Sequence, residues 1–126
     1  MAVTLIDFGS FEGGRIFGWE LVSGETGLPA VVVAWPDVTV QLYGTFGSGT
    51  IELQGSCHAG PGPTLADAST VTYFALRDLL GNAITAKAAA YGEAIQQHPR
   101  LIRPVATTVT AVSVRLVCTA ARSRTA

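Results

Sequence analysis

The chain has 126 residues, of which 48% are hydrophobic and 13% charged, and its formal net charge is −1. This length is enough for one domain with its own core, and the scarcity of charge, against about 25% in an average soluble domain, favours a subunit that buries further surface in an assembly. The longest apolar run, PAVVVAWP at residues 29–36, is much shorter than the roughly 20 residues of a membrane span, and no basic segment before an apolar one indicates a signal peptide.

The first elements predicted along the chain are an extended apolar segment at residues 3–8 and a glycine-rich joint, GSFEGG, at residues 9–14. A strand isolated behind a joint gains little by folding back on its own domain, but it can add a strand to a neighbour's sheet edge. We therefore divide the chain into an N-terminal arm and flexible joint (1–14), a β-sandwich domain (15–119) and a C-terminal tail (120–126) that has no apolar anchor.

Alternating apolar and polar residues dominate the rest of the chain and predict short strands. In chain order, the strand candidates are residues 15–22, 30–35, 38–46, 50–57, 71–76, 83–88, 101–105 and 108–119. In the last of them, Val109, Val112, Val114, Leu116 and Cys118 are available for the core.

The clearest motif is TVQLYGTFGSGTIELQGS at residues 39–56. Gly47, Ser48 and Gly49 supply the positive φ angles of a tight turn between two alternating segments. The motif therefore predicts an antiparallel hairpin. A phosphate-binding loop would need a following lysine, a serine or threonine and a helix, and none of these follows the glycines.

One segment, KAAAYGEAIQQ at residues 87–97, has the composition of a helix, although Gly92 weakens it and Pro99 ends it. The complete pattern predicts an all-β fold, an antiparallel β-sandwich of jelly-roll type with one short helical segment.

The acidic and basic residues are divided unevenly along the chain. Residues 1–67 carry a formal charge of −6 and residues 68–126 a formal charge of +5. Either strands of the two halves interleave so that the charges offset locally, or the halves form complementary surfaces between neighbouring subunits. Neither arrangement indicates nucleic acid, because no basic run has interleaved aromatic residues.

Side chains that could support catalysis or bind a metal form no recognisable pattern. His58 lies in a loop rich in proline and glycine, and His98 precedes a proline. Cys57 directly precedes His58, and two adjacent residues rarely have the geometry to bind one metal ion together. No pair among the nine acids is marked out for glycoside hydrolysis, and Ser56, Cys57 and His58 would alternate between the faces of a strand. We therefore expect a protein that is not an enzyme and has no metal or cofactor. Free cysteines, Cys57 and Cys118, are favoured over a disulfide, as in a protein made in a reducing cytosol.

Aromatic residues could provide a sugar-stacking platform on a carbohydrate-binding β-sandwich. Packing in the core and across strands is the more ordinary use of such residues. The candidates are Phe17, Trp19, Trp35, Tyr43, Phe46, Tyr73 and Phe74.

Three segments, taken in order, resemble a known family. They are YGTFGSGTIELQGS (43–56), LRDLLGNAIT (76–85) and IQQHPRLIRPVATTVTAVSVRLV (95–117). These segments are similar to parts of the small jelly-roll head-decoration (cement) proteins of tailed bacteriophages. The sequence departs from that family at residues 57–63, where the family's Asn-Asp-Gly-x-x-Trp is absent, and over the first 30 residues.

The resemblance implies a virion structural protein on the outer capsid surface, made in the host cytoplasm. Its partners would be the major capsid protein and neighbouring copies of itself, with no nucleic acid and no membrane. Such a protein stabilises the shell because it binds the assembled lattice and not the free subunit. A tail, baseplate or head-tail adaptor protein would use the same sandwich and is the alternative.

The terminal segments are the predicted partner-binding sites. Val3, Leu5 and Phe8 belong to the arm, and Arg122 and Arg124 belong to the tail. We expect the arm to pair with a neighbour's sheet edge, and the two arginines to meet a partner's carboxylates.

Overall fold

The computed structural model describes residues 2–11, 13–32, 35–57 and 72–119. These ranges contain strands and no helix, and so no helical membrane span. In chain order, the strands are β1 (Ala2–Val3), β2 (Ile6–Phe11), β3 (Gly14–Leu21), β4 (Thr26–Gly27), β5 (Ala30–Val31), β6 (Asp37–Thr45), β7 (Thr50–Ser56), β8 (Phe74–Ala75), β9 (Tyr91–Ala94), β10 (Leu101–Thr107) and β11 (Ala111–Thr119).

The strands form two sheets that pack face to face. Sheet I has the order β1-β4-β10-β7-β8, with β5 also paired to β10, and sheet II has the order β2-β3-β11-β6-β9. All pairs are antiparallel except β1 with β4. From β3 onward the chain passes repeatedly from one sheet to the other. The order β3-β11-β6-β9 opposite β4-β10-β7-β8 is that of a jelly roll, so the predicted all-β sandwich is confirmed.

The core lies between the sheets and follows from alternation along each strand. On β6, Val38, Val40 and Leu42 are buried while Gln41 and Tyr43 are exposed. Alternate residues of β11 and β3 are buried in the same way, because neighbouring residues of a strand point to opposite faces. The other core residues include Phe17, Trp19, Leu21, Ile51, Leu53, Ile102, Ala106, Val109, Val112, Val114, Leu116 and Cys118.

The two cysteines are free, as predicted, and occupy different environments. Cys118 is buried in the core, where desolvation raises the pKa of its thiol to about 12. Cys57 is exposed at the end of β7.

The glycine motif forms two strands and a turn, but the predicted hairpin is wrong. β6 pairs with β11 and β9 in sheet II, whereas β7 pairs with β10 and β8 in sheet I. At the corner between them, Gly47 has a φ of 61° and the Gly49 amide donates to the Phe46 carbonyl at 2.9 Å. The turn residues specify a reversal of the chain, but long pairing with β11 and with β10 places the two strands in different sheets.

The short helical segment expected at residues 87–97 is also wrong. Tyr91–Ala94 is β9, an edge strand that pairs with residues 39–42 of β6. Just beyond it, Ile95 is buried and its amide donates to the Val38 carbonyl at 2.9 Å. An alanine-rich segment interrupted by Gly92 has only a weak preference for helix, and pairing with β6 overrides it.

The N-terminal segment is part of the sandwich, so the division at residue 14 is wrong for the residues described. β1 extends sheet I beside β4, and β2 extends sheet II beside β3. Val3 and Leu5 pack against the core, and the Leu28 amide donates to the Val3 carbonyl at 2.8 Å. The segment folds back because both sheets otherwise end in an unpaired edge, whose main-chain groups it satisfies. The tail with Arg122 and Arg124 lies outside the described residues, as does His58.

Candidate interaction surface

The outer face of sheet II brings together side chains from both ends of the chain. Arg115 of β11 lies opposite Gly18 of β3 and Gln41 of β6. The residues on either side of Arg115 in β11 are buried, so Arg115 itself points outward. It therefore stands on the central strand of this sheet, on the side away from the core.

Arg115 lies between two aromatic rings. Its guanidinium carbon is 4.7 Å from the centre of the Phe8 ring and 5.6 Å from the centre of the Tyr43 ring, within the range of cation–π attraction. The absence of a side chain at Gly18 leaves room for this contact, since a Cβ there would lie 2.8 Å from both Phe8 Cε2 and Arg115 Nη1. We call Phe8, Arg115 and Tyr43, with the neighbouring Glu20, the Arg115 platform.

Polar contacts hold the guanidinium in place. Arg115 Nη2 donates to Glu20 Oε2 at 2.5 Å, and the Ser113 hydroxyl donates to Glu20 Oε1 at 2.6 Å. The bond from Ser113, together with the one from Arg115, lowers the pKa of Glu20. The platform is thus a pre-ordered, charged and aromatic surface.

The charge asymmetry of the sequence is partly offset within the domain. Of the two ion pairs in the described ranges, Arg115–Glu20 joins the two halves of the chain, whereas Arg15–Asp7, at 2.6 Å, lies within the first half. The bonds from Arg15 and from the Gly9 amide lower the pKa of Asp7. The interleaving of strands therefore brings opposite charges together, and complementary surfaces between subunits stay a prediction.

The edge of sheet II next to the platform is apolar as well as unpaired on one side. β2 is the last strand of this sheet in the described ranges, and it exposes Ile6, Phe8 and Phe11. Phe8 is the most exposed of the three, at 50%. Exposed apolar side chains clustered at an unpaired strand are typical of interaction sites.

The aromatic candidates divide between the core and the surface. Packing in the core is confirmed for Phe17, Trp19 and Phe46, which are buried, whereas Tyr43 and Phe74 are exposed. Trp35 is partly buried against the core, and the centre of the Tyr73 ring lies 3.6 Å from the Arg103 guanidinium carbon. Sequence reasoning did not find Arg115, although an arginine at an outward position of the last strand was a visible signal.

A second polar cluster surrounds Asp78, whose side chain is buried. Its Oδ1 accepts bonds from the amides of Leu80 (2.9 Å) and Asn82 (3.0 Å), and its Oδ2 accepts a bond of 2.6 Å from the Tyr91 hydroxyl. The Tyr91 bond, followed by the two amide bonds, lowers the pKa of Asp78 in spite of desolvation. The Lys87 ammonium stands 4.5 Å above the Tyr91 ring. The cluster satisfies a buried carboxylate and orders the turn that follows it.

We expect this carboxylate to make the stability of the protein depend on acid. Its folded-state pKa is below the ordinary value of 3.8, so its contribution is present above that value and is lost as the pH falls through the folded pKa. The melting temperature, measured from about pH 5 to pH 2, should fall less steeply with decreasing pH for Asp78→Asn than for the wild type. Tyr91→Phe removes the largest cause of the shift and brings the folded and unfolded pKa values closer, so the acid-dependent loss of stability should be smaller than in the wild type. Identical acid profiles for all three proteins would contradict this role of Asp78.

No group of three or more histidine, cysteine, aspartate or glutamate side chains in the described part of the chain is placed to hold a metal ion. The His98 side chain is exposed beside the sandwich.

Comparison with known proteins finds no family model and no curated protein that matches the sequence. Among solved structures, the chain is similar to a cupin domain from Bordetella pertussis Tohama I, with a TM-score of 0.47 and 11% identity over 95% of each chain. It is also similar to KdgF from Halomonas sp., with a TM-score of 0.38 and 11% identity over 93% of this chain and 80% of that one. Structural similarity at these TM-scores and this sequence identity does not indicate what the chain binds.

Proposed function

We propose that this chain is a capsid decoration protein of a tailed bacteriophage, which binds the outside of the assembled head and bridges neighbouring major-capsid subunits. The observation that carries the proposal is the Arg115 platform with its apolar edge strand, on the outside of a sandwich whose interior is filled by apolar side chains. In this proposal the domain acts through its outer surface. The similarity of three sequence segments to decoration proteins supports the choice of partner.

The platform suits binding to a large protein surface. Its guanidinium is already held by Glu20 and by the rings of Phe8 and Tyr43, so little side-chain freedom is lost on contact. Aromatic residues and arginine are also enriched among the residues that contribute most to protein interfaces. The outer main-chain groups of β2 can accept an added strand from a neighbouring subunit. In this proposal the N-terminal segment contacts the partner through Phe8, whereas Val3 and Leu5 pack against the core.

A protein that binds only the assembled shell stabilises it by mass action. At a free concentration one hundred times Kd, the stabilisation is about 2.7 kcal/mol for each site. This mechanism needs no cofactor, nucleic acid or membrane. It places the protein on the outer capsid surface of the virion, beside copies of itself.

The test uses capsids assembled from the major capsid protein that is encoded in the same phage genome as this chain. Labelled wild-type protein should sediment with the capsids and not with the free subunit. Phe8→Ser and Tyr43→Ser should each weaken binding about tenfold. Phe74→Ser, which changes a ring on sheet I that is as exposed as that of Tyr43, serves as the matched control and should bind as the wild type does.

Equal binding to free and assembled subunits, or none to either, would contradict the proposal. Copy number in purified particles separates the alternatives, because a decoration protein is present in numbers comparable to the major capsid protein. A tail, baseplate or head-tail adaptor protein is present in far fewer copies.

The platform also favours a second candidate, a carbohydrate-binding module. Phe8 and Tyr43 expose ring surface beside the polar groups of Glu20 and Gln41 on one sheet face, and saccharides stack on such rings. A glycan-array screen with the wild type and Phe8→Ser tests it. Binding that the variant loses would favour this second function.

A further inference from the structure

The loop at residues 78–82, between β8 and β9, carries two adjacent exposed leucines. Leu79 is 49% exposed and Leu80 is 74% exposed, the largest exposure among the large hydrophobic side chains that the structure describes. Both leucines belong to the segment LRDLLGNAIT. We call them the Leu79–Leu80 knob.

Several hydrogen bonds hold the backbone of this loop in place. Besides the bonds to its carboxylate, the Asp78 amide donates to the Asn82 carbonyl at 2.9 Å and the Asp78 carbonyl accepts from the Gly81 amide at 2.9 Å. The Leu79 amide donates to the Ala94 carbonyl of β9 at 3.0 Å. Gly81 has a φ of 86°, which glycine adopts without strain. The loop is therefore ordered before it meets a partner, which lowers the entropic cost of binding.

A cation stands beside the knob. Arg77 Nη1 donates to the Gly81 carbonyl at 2.8 Å, and the Arg77 side chain is exposed. In the described ranges no carboxylate lies within ion-pair distance of Arg77. The complementary surface is therefore an apolar pocket with a carboxylate at its rim, because two leucines on a tight loop need a concave partner and the guanidinium needs an anion.

The knob is separate from the Arg115 platform. Leu79 bonds to Ala94, which pairs with Thr39 of β6. Arg115 lies opposite Gln41 on the strand beyond β6, and Tyr43 lies four residues from Thr39 along β6. At about 3.3 Å per residue, this separation is roughly 13 Å along the strand. The two surfaces can therefore meet different parts of a partner.

We propose that the Leu79–Leu80 knob is a second contact point, which inserts into an apolar pocket with an acidic rim on the assembled capsid. This inference rests on the proposed function and deepens it, because a protein that bridges two subunits needs two separate contacts. The platform would bind one subunit and the knob its neighbour.

The test measures Kd for the capsids used above, by titration of labelled full-length protein. Leu80→Ser should weaken binding about tenfold, and the double variant Leu79→Ser/Leu80→Ser more than Leu80→Ser alone. Val22→Ser is the matched control. Val22 is 48% exposed and directly follows Leu21 of β3. Leu21 pairs with Val112 of β11, and Val112 pairs with Gly44 of β6, so Val22 lies towards the end of sheet II that is opposite to the knob. Its Kd should stay within about twofold of the wild type.

Arg77→Gln tests the acidic rim, since glutamine keeps a side-chain N–H donor but carries no charge. It should weaken binding at low salt and reduce the dependence of Kd on salt. Equal melting temperatures of the variants and the wild type would show that the loop substitutions leave the fold intact, as expected at exposed positions.

Each outcome has one meaning. If the wild type binds and the leucine variants bind equally well, the knob inference is overturned and the proposed function stands. If the wild type does not bind capsids, both are overturned. An unchanged salt dependence for Arg77→Gln would overturn the acidic rim.

Discussion

Gly49→Ala is expected to lower the free energy of unfolding by about 3 kcal/mol, because the new methyl group would overlap main-chain atoms. A Cβ at Gly49 would meet the Thr107 oxygen, the Thr108 carbonyl carbon and the Val109 nitrogen. A flexible side chain could move aside, but backbone that links β10 to β11 cannot do so without disturbing both strands. Gly49 is thus required by close approach of two chain segments.

Chemical denaturation followed by tryptophan fluorescence measures this effect. The matched control is Gly24→Ala, since Gly24 has a φ of 74° and open space around its Cα, so the substitution adds backbone strain without a clash. Its expected cost is about 1 kcal/mol. Equal costs at the two positions would contradict the close approach at Gly49.

Trp19→Ala is expected to cost about 3 to 5 kcal/mol of unfolding free energy, through lost burial and the cavity left behind. The Trp19 side chain is fully buried, and its ring lies so close to Gly27 of β4 that a Cβ there would stand 2.6 Å from Nε1. The indole Nε1 donates to the Leu28 carbonyl at 2.8 Å. This one side chain therefore connects sheet II to the segment that follows β4 of sheet I.

Trp19→Phe separates packing from hydrogen bonding. The phenyl ring keeps much of the volume but leaves the Leu28 carbonyl without its donor, so the expected cost is about 1 to 2 kcal/mol. Near-ultraviolet circular dichroism and denaturation report the change, with Trp35 as the remaining fluorophore. If Trp19→Ala cost no more than Trp19→Phe, the ring would not be filling the core as described.

Which side of a strand faces the core could be read from the sequence. Val38, Val40 and Leu42 alternate with polar or exposed residues, and β-strand geometry sends such residues to one face. The reversal at Gly47 could also be read, because few residues other than glycine adopt a positive φ without strain. These features depend on neighbouring residues only, and the sequence by itself determined them.

The pairing of strands was decided by the tertiary structure. Main-chain hydrogen bonds are the same for every residue type, so alternation in β6 and β7 says nothing about which strand lies beside them. The long ladders to β11 and β10 separated the two strands that the glycine motif joins. The same cause turned residues 91–94 into a strand beside β6 and brought residues 2–11 back onto open sheet edges.

The candidate site shows the same division. Phe8 was predicted to bind a partner from its place in an apolar N-terminal segment, but Arg115 was not predicted at all. The two meet because β2 pairs with β3, and β3 pairs with β11, over the space left by Gly18. Composition and alternation determined that this chain is a low-charge β-sandwich. Only the register of its strands decided which aromatic, acidic and basic side chains share a surface, since that register joins residues from opposite ends of the chain.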